Sequence, residues 1–497
     1  MSLKSLLALP FALKVKKGID KWAVNPIATQ ERVFQELIHT AASTEFGKDH
    51  NFVSIKNHDD FVKQVPVRDY EQLRPYVDKV VAGESDILWP NKPLYFAKTS
   101  GTTSGAKYIP ITKESMPTHI ANARNAIMCY IAETKNTKFV DGKMIFLQGS
   151  PILTEQNGVN LGRLSGIVAH YVPKYLLKNR LPSWETNCIE DWETKVNAIV
   201  NETVSENMSI ISGIPSWVQM YFEKLVEKTN KPVGELFKNF NLFIYGGVNY
   251  EPYRNKFENL IGRKVDSIEL YPASEGFFAF QDSQEEKGML LQLNSGIFYE
   301  FIKVTDFSDD NPKRITIKDV EVGVNYVMII STTAGLWGYN IGDTVQFTST
   351  SPYRVIVSGR IKHFISAFGE HVIGKEVEQA LQEAVEGTDV RINEFTVAPQ
   401  ITPKNGLPYH EWFIEFENEP EDMDAFSEKI DLALQQQNTY YFDLIDGKVL
   451  QPLVITKITT SGFQNYMKSI GKLGGQNKLP RLSDNRTIAD KLSKFCI

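Results

Sequence analysis

An α/β protein in two parts is predicted: a large N-terminal domain of layered α/β sheets with a small β subdomain, then a smaller α+β domain. Three observations predict it. Short apolar runs bounded by turns recur from 143 to about 333, segments of helical period lie between several of them, and after Arg360 the pattern restarts with strands and helices of its own. At roughly 100 to 200 residues per domain, the 497 residues accommodate both parts.

The elements follow in order. An apolar stretch from Leu6 to Leu13 is flanked by Lys4 and Lys14 and has no small-x-small cleavage site after it, so a helix or arm packed on the body is expected rather than a leader. Ile120, Ala123, Ile127, Tyr130 and Ile131 recur at helical spacing and form one stripe. The runs 144–147, 209–212, 242–245, 267–271 and 326–330 read as strands. Strand and helix in alternation place ligands at the carboxyl ends of the strands. Between 292 and 346 the pattern is mostly strand, with 298–302 and 314–317 and no helix between them, which predicts a small antiparallel subdomain. A turn at 348–352 precedes a last strand at 354–357, and Ser358-Gly359-Arg360 ends it, so the boundary is set at 1–359 and 360–497. Beyond it come a helix with Val377, Ala380, Leu381 and Ala384 on one face, strands at 395–398 and 412–416, a helix near 423–436 and a strand at 453–458.

Composition excludes several function classes. Lys plus Arg is 54 and Asp plus Glu is 60, so 54 − 60 leaves a net charge of −6. Binding to nucleic acid by phosphate neutralisation needs a basic excess that is absent. No run reaches the roughly 18 apolar residues of a membrane span. Cys129, Cys188 and Cys496 lie far apart without CxxC spacing, which excludes a disulfide framework and a cysteine zinc site and predicts a reducing, cytoplasmic setting. The eight histidines form no HxH or HExxH pattern.

Five segments can carry chemistry. Thr99-Ser100-Gly101-Thr102-Thr103-Ser104-Gly105-Ala106-Lys107 combines glycines that let N–H groups converge, five hydroxyls and a lysine, a set suited to a phosphate chain. It is not a Walker loop, because Ala106 precedes the lysine and Tyr108 follows it where the magnesium-binding hydroxyl belongs. Tyr271-Pro272-Ala273-Ser274-Glu275-Gly276 follows a strand, where a carboxylate beside phosphates serves as a magnesium ligand. In Gly338-Tyr339-Asn340-Ile341-Gly342-Asp343 the aspartate has the lone pairs to accept from two ribose hydroxyls. Gly474-Gly475-Gln476-Asn477-Lys478-Leu479-Pro480-Arg481 is a flexible loop that presents two cations to developing negative charge. Gly246-Gly247, after a strand, permits close approach of a flat ligand.

In order and spacing these segments resemble the adenylate-forming enzymes, and within them the plant auxin-responsive acyl acid amido synthetases, the Gretchen Hagen family. The likeness runs from the Gln30 to Leu37 segment and Glu45-Phe46-Gly47 to Lys478-Leu479-Pro480-Arg481. It implies that 1–359 is an ATP- and acyl-binding adenylation domain and 360–497 a mobile domain. It further implies that Thr99 to Lys107, with Ser100, Thr102, Thr103 and Ser104, holds the ATP phosphates, and that Gly246, Gly247 and Tyr271 flank the adenine, with Ser274 beside them. Glu275 would bind Mg2+ and Asp343 the ribose. Gly359-Arg360-Ile361-Lys362 would be the hinge, and Lys478 the lysine that assists adenylation, with Arg481 nearby. This sequence departs from the plant pattern at Pro272 and Ala273, where Ala-Ser is usual, at Asn340, where an arginine is usual, and at Asn477, where a tyrosine is usual. The implied reaction turns a small carboxylic acid and ATP into an acyl-AMP and transfers the acyl group to an amine, with an amino acid as the expected acceptor. The alternatives are transfer to coenzyme A and a nucleotide-binding protein without catalysis. The resemblance names no acid, amine or oligomeric state.

Overall fold

Strands that carry apolar side chains on consecutive positions must be covered on both faces, and the central strands here are: Met208–Ser212 and Leu242–Gly246 are each buried over their first four residues. The computed structural model describes residues 3–497 except 100–106, 173, 248–249, 308–311, 362–363, 366–369, 371, 447–448, 474–477 and 484. The chain divides into two compact units. One comprises Met1–Val248, Glu258–Ile341 and Val345–Ile356, and the other Asn249–Phe257, Gly342–Thr344 and Val357–Ile497.

In the first unit Lys143–Phe146, Met208–Ser212, Leu242–Gly246 and Asp266–Ala273 lie side by side and parallel. The helices Trp192–Thr203 and Pro215–Thr229 cross over between them. After Asp266–Ala273 the chain reverses into the antiparallel strand Gly276–Phe280. Among the described residues the sheet then continues through Met289–Leu291, Tyr353–Arg360, Tyr339–Thr350, Asn325–Thr332 and Ile297–Lys303 to Ile315–Thr316. The antiparallel strands expected between 292 and 346 are therefore present, and they are hydrogen-bonded into the same sheet as the parallel ones. Met289–Leu291 makes the connection, pairing with Gly276–Phe280 on one side and Tyr353–Arg360 on the other. A strand of three residues is too short to show a period. The expected strand 314–317 is also shorter, because Ile317–Asp319 turns as a 3-10 helix. A second sheet, unassigned from the sequence, runs in the order Lys107–Ile111, Tyr95–Thr99, Val159–Gly162, Thr154–Gln156.

The expected N-terminal helix spans Leu3–Ala23 and buries Ala12 and Ile19 against Ala126, Cys129 and Tyr130 of the helix Met116–Thr134. Some buried polar groups inside this unit have dedicated partners. The Gln30 amide donates to the carbonyls of Leu293 and Ile297, both at 2.8 Å, and its oxygen accepts the Tyr299 N–H at 2.9 Å. Bonds of this kind prevent the large cost of leaving buried backbone groups unmade.

His119 is among the buried groups with an unpartnered polar atom, and it has a measurable consequence. It is buried, its Nδ1 has no hydrogen-bond partner, and desolvation pushes its pKa down to about 4. Below the ordinary histidine range the unfolded chain takes up this proton and the folded chain does not. The folded state therefore loses stability as pH falls from about 6.5 toward 4, by up to about 3 kcal/mol, and loses nothing through this group above that window. Urea unfolding at pH 5 and pH 7.5 checks it: His119→Gln is expected to show a smaller drop between the two pH values than the parent chain.

In the second unit Arg391–Gln400 pairs antiparallel with Tyr409–Asn418, which pairs parallel with Val454–Lys457. The helix Gly374–Val385 buries the expected Val377, Ala380, Leu381 and Ala384, and packs in one cluster with Phe426, Ile430 and Leu434 of Met423–Gln437. Among the described residues no helix is long and apolar enough to cross a membrane, and Cys129, Cys188 and Cys496 are all free thiols.

Candidate active site

The carboxyl ends of the parallel strands bring several of the predicted residues together. Gly246 closes Leu242–Gly246 opposite Leu270 of the neighbouring strand. A Cβ at Gly246 would lie 2.4 Å from the Leu270 carbonyl oxygen, so only glycine fits between the strands. Gly247 has φ +79°, the left-handed conformation that glycine adopts without strain. Asp266–Ala273 extends two residues beyond the expected strand, and Gly276 resumes opposite Ala273. Ser274 and Glu275 therefore form a two-residue turn at the tip of a hairpin. The half-buried Glu275 side chain stands at that tip, while Tyr271, two residues before the end of the strand, is buried with its ring 5.0 Å from Phe278.

The phosphate-loop candidate joins two paired strands. Thr99 faces Lys107 in the ladder between Tyr95–Thr99 and Lys107–Ile111, while Ser100, Gly101, Thr102, Thr103 and Ser104 lie outside the described residues. Phe96, Ala97 and Ile109 of this hairpin share one buried cluster with Tyr271 and Phe278, so both segments are rooted in the same core. Sequence reasoning missed what holds the hairpin. The Tyr70 hydroxyl accepts the Tyr108 N–H at 2.9 Å, and the Lys107 ammonium lies 5.4 Å from the Tyr70 ring centroid. Burial raises the Tyr70 pKa, so the hydroxyl stays neutral at physiological pH. Tyr70 opens a helix that begins with the capping box Asp69 to Gln72, a pattern legible in the sequence. Arg68, just before it, was also missed. Its carbonyl accepts the Asn340 N–H at 2.8 Å and its N–H donates to the Gly338 carbonyl at 3.0 Å, so it anchors the segment leading to Asp343, the ribose candidate.

Asp343 and the C-terminal candidates belong to the second unit. Asp343 is buried within the strand Tyr339–Thr350. Its neighbours are tied to the strand that ends at Arg360: Ser358 Oγ donates to Thr344 Oγ1 at 3.0 Å, and the Gly342 carbonyl accepts the Ile361 N–H at 2.7 Å. Lys362 lies outside the described residues, and Lys478 is exposed just after residues that also do. Arg481 is tied into the unit's interior. Its guanidinium donates to Glu394 and, at 2.8 Å, to the Tyr253 hydroxyl, and it lies 4.6 Å from the Phe395 ring centroid. His410 is fully buried, 2.9 Å from the Glu370 carboxylate, with its ring stacked on Tyr441.

Among the described residues no three His, Cys, Asp or Glu side chains gather as a metal cage. One carboxylate at a hairpin tip fits Mg2+ as that ion is usually bound beside nucleotides, by one or two carboxylates with phosphate oxygens and water.

Comparison with known proteins is consistent along the chain. Residues 15–185 match the GH3 family N-terminal domain, 290–360 the GH3 family central domain and 375–487 the GH3 family C-terminal domain. The chain belongs to the GH3 family. GH3 relatives of similar length include the indole-3-acetic acid-amido synthetase GH3.3 of Arabidopsis thaliana, 20% identical over 99% of this chain and 96% of the relative. The jasmonoyl–L-amino acid synthetase GH3.5 of Oryza sativa subsp. japonica is also 20% identical, over 91% of each. The solved GH3.15 acyl acid amido synthetase superposes with a TM-score of 0.80 at 16% identity, covering 97% of this chain and 96% of that one. A 2-hydroxyisobutyryl-CoA ligase in its postadenylation state shares the fold more distantly, with a TM-score of 0.59 at 13% identity over 94% and 91%. This GH3 protein is thus a ligase of the acyl acid amido synthetase family, with an adenylate-forming fold.

Proposed function

We propose that this GH3 protein activates a small carboxylic acid with ATP and transfers the acyl group to an amino acid, forming an amide. The observation that carries the reading is the match to all three GH3 domains in order along one chain. A carboxylate oxygen attacks the α-phosphorus of ATP; the bond to pyrophosphate breaks, leaving acyl-AMP. The amine nitrogen then attacks the acyl carbon, AMP departs with the bonding electrons, and the nitrogen loses a proton.

In this proposal Thr99 to Lys107 holds the phosphates, Gly246, Gly247, Tyr271 and Ser274 border the adenine, and Asp343 binds the ribose. Glu275 holds Mg2+, which when bound neutralises phosphate charge. Lys478 contacts oxygens on which charge accumulates, with Arg481 shaping the base of its loop. Residues 1–359 do the binding, and 360–497 turn about Lys362 between the two half-reactions, a known gating device in enzymes. A cytoplasmic setting accords with three free thiols.

Carboxylate-dependent ATP–pyrophosphate exchange over aryl, indole and aliphatic acids, followed by mass detection of products with mixed amino acids or coenzyme A, tests the reading. The expected result is exchange with at least one acid and an amide product. Absence of exchange while ATP still binds would overturn it, and a thioester product would redirect it to the acyl-CoA ligase alternative.

A further inference from the structure

The first helix, Leu3–Ala23, is amphipathic in an unusual way. Its inner face is buried through Ser5, Ala12 and Ile19. Its outer face should be polar, but Leu6 and Leu7 are each 60% exposed, Leu13 52% and Phe11 46%, with Pro10 exposed among them. Further along the same helix lie Lys14, Lys16, Lys17 and Lys21 against a single acidic residue, Asp20, which pairs with Lys16 at 2.5 Å. At 100° per residue Leu6, Pro10, Leu13, Lys14, Lys17 and Lys21 all fall on the outward side. The outer face is thus apolar for two turns and cationic for the next two.

A groove of about 410 Å³ runs beside this face, between the first helix and Met116–Thr134. Apolar Phe11, Val15 and Trp22 line it together with two cations, Lys14 and Arg124, and no carboxylate lines it. The Arg124 guanidinium lies 6.0 Å from the Phe11 ring centroid, so positive charge and apolar surface meet at one spot. Such a concentration of cations stands out in a chain whose net charge is −6.

We propose that this face docks on an anionic phospholipid surface, with Leu6, Leu7, Phe11 and Leu13 entering the headgroup–acyl boundary and Lys14, Lys17, Lys21 and Arg124 meeting lipid phosphates. Helices that lie in the membrane interface use this pairing of apolar side chains with lysines. Charge complementarity selects this occupant. A second copy of the chain would bring like-charged lysine clusters toward each other, and a nucleic acid would leave the leucines uncovered. The helix lies on the surface and does not cross it, in keeping with the absence of a spanning helix among the described residues.

Co-sedimentation of the full chain with phosphatidylcholine vesicles, with and without about 30% phosphatidylserine, tests the proposal. The expected result is at least tenfold tighter binding to the anionic vesicles, weakening as salt is raised because surface charge is screened. Two double variants separate the contributions: Leu6→Gln with Leu7→Gln, and Lys14→Gln with Lys17→Gln. Each is expected to weaken binding about tenfold while leaving the thermal midpoint unchanged, because these side chains are exposed. Equal binding to both vesicle types, or variants that bind like the parent, would overturn the proposal. So would a dimer in sedimentation equilibrium that the leucine variant dissociates, since a second copy would then own the face. The salt dependence of the unaltered chain keeps the test valid if a variant misfolds.

Discussion

Lys478→Ala is expected to lower carboxylate-dependent ATP–pyrophosphate exchange by about 10²- to 10³-fold while leaving ATP affinity within about twofold. That is the size seen when one preorganised donor to a developing oxyanion is removed from an enzyme. The asymmetry between rate and binding is the informative part. Charge on the α-phosphate oxygens and the attacking carboxylate is redistributed in the transition state, so a lysine that meets it there changes rate far more than ground-state binding. Lys478 is exposed and follows a glycine pair, so its truncation removes no core packing and the fold is expected to survive. Exchange rate and equilibrium ATP binding, measured on the same preparation, check it; an unchanged exchange rate removes this lysine from the mechanism.

Glu300→Ala is expected to cost about 3–5 kcal/mol of stability, the usual penalty for breaking a buried ion pair from one side. Glu300 is fully buried on Ile297–Lys303 and accepts from Arg314 Nε at 2.9 Å, Arg314 Nη2 at 2.6 Å and His58 Nε2 at 2.7 Å. Arg314 also donates to the Val65 carbonyl, so this carboxylate and its arginine fasten the large sheet to both ends of the helix His58–Gln64. Burial opposes ionisation of Glu300, yet the Arg314 charge and the hydrogen bonds from His58 and Arg314 prevail and hold its pKa below the ordinary value. A depressed carboxyl pKa contributes stability that is present above the unfolded-state value of about 4.3 and is lost as pH falls through and below it. Urea unfolding at neutral pH is the measurement. Because the damage is an uncompensated guanidinium, the double variant Glu300→Leu with Arg314→Met is expected to recover part of the loss; a single variant as stable as the parent would show that the pair holds nothing.

Much of this was legible along the chain. The parallel strands at 209–212 and 242–245 announce themselves as short apolar runs bounded by turns, Ile210-Ile211 in one and Leu242 to Tyr245 in the other. The helix at 374–385 does so because Val377, Ala380, Leu381 and Ala384 repeat at the helical period. Glu275 was legible as a carboxylate after a strand, and Gly246 as a glycine where backbone must pass close. Other features carry no period. Met289–Leu291 is three residues long and joins the two halves of a sheet that the sequence divides. Tyr70 and Arg68 act through single hydrogen bonds to Tyr108, Gly338 and Asn340, residues about 40 and 270 positions away.

The sequence by itself determined the fold class, the order of the chemical motifs and the family, because these reside in local periodicity and in short strings whose spacing survives at 20% identity. Tertiary structure alone decided which side chains support those strings and which face outward. Hydrogen bonding and burial depend on neighbours that the chain brings together only after folding. The first helix shows the difference: its leucines and lysines are evident in the sequence, but only its packing on Met116–Thr134 leaves Leu6, Leu7 and Lys14 facing solvent while Ala12 and Ile19 are buried.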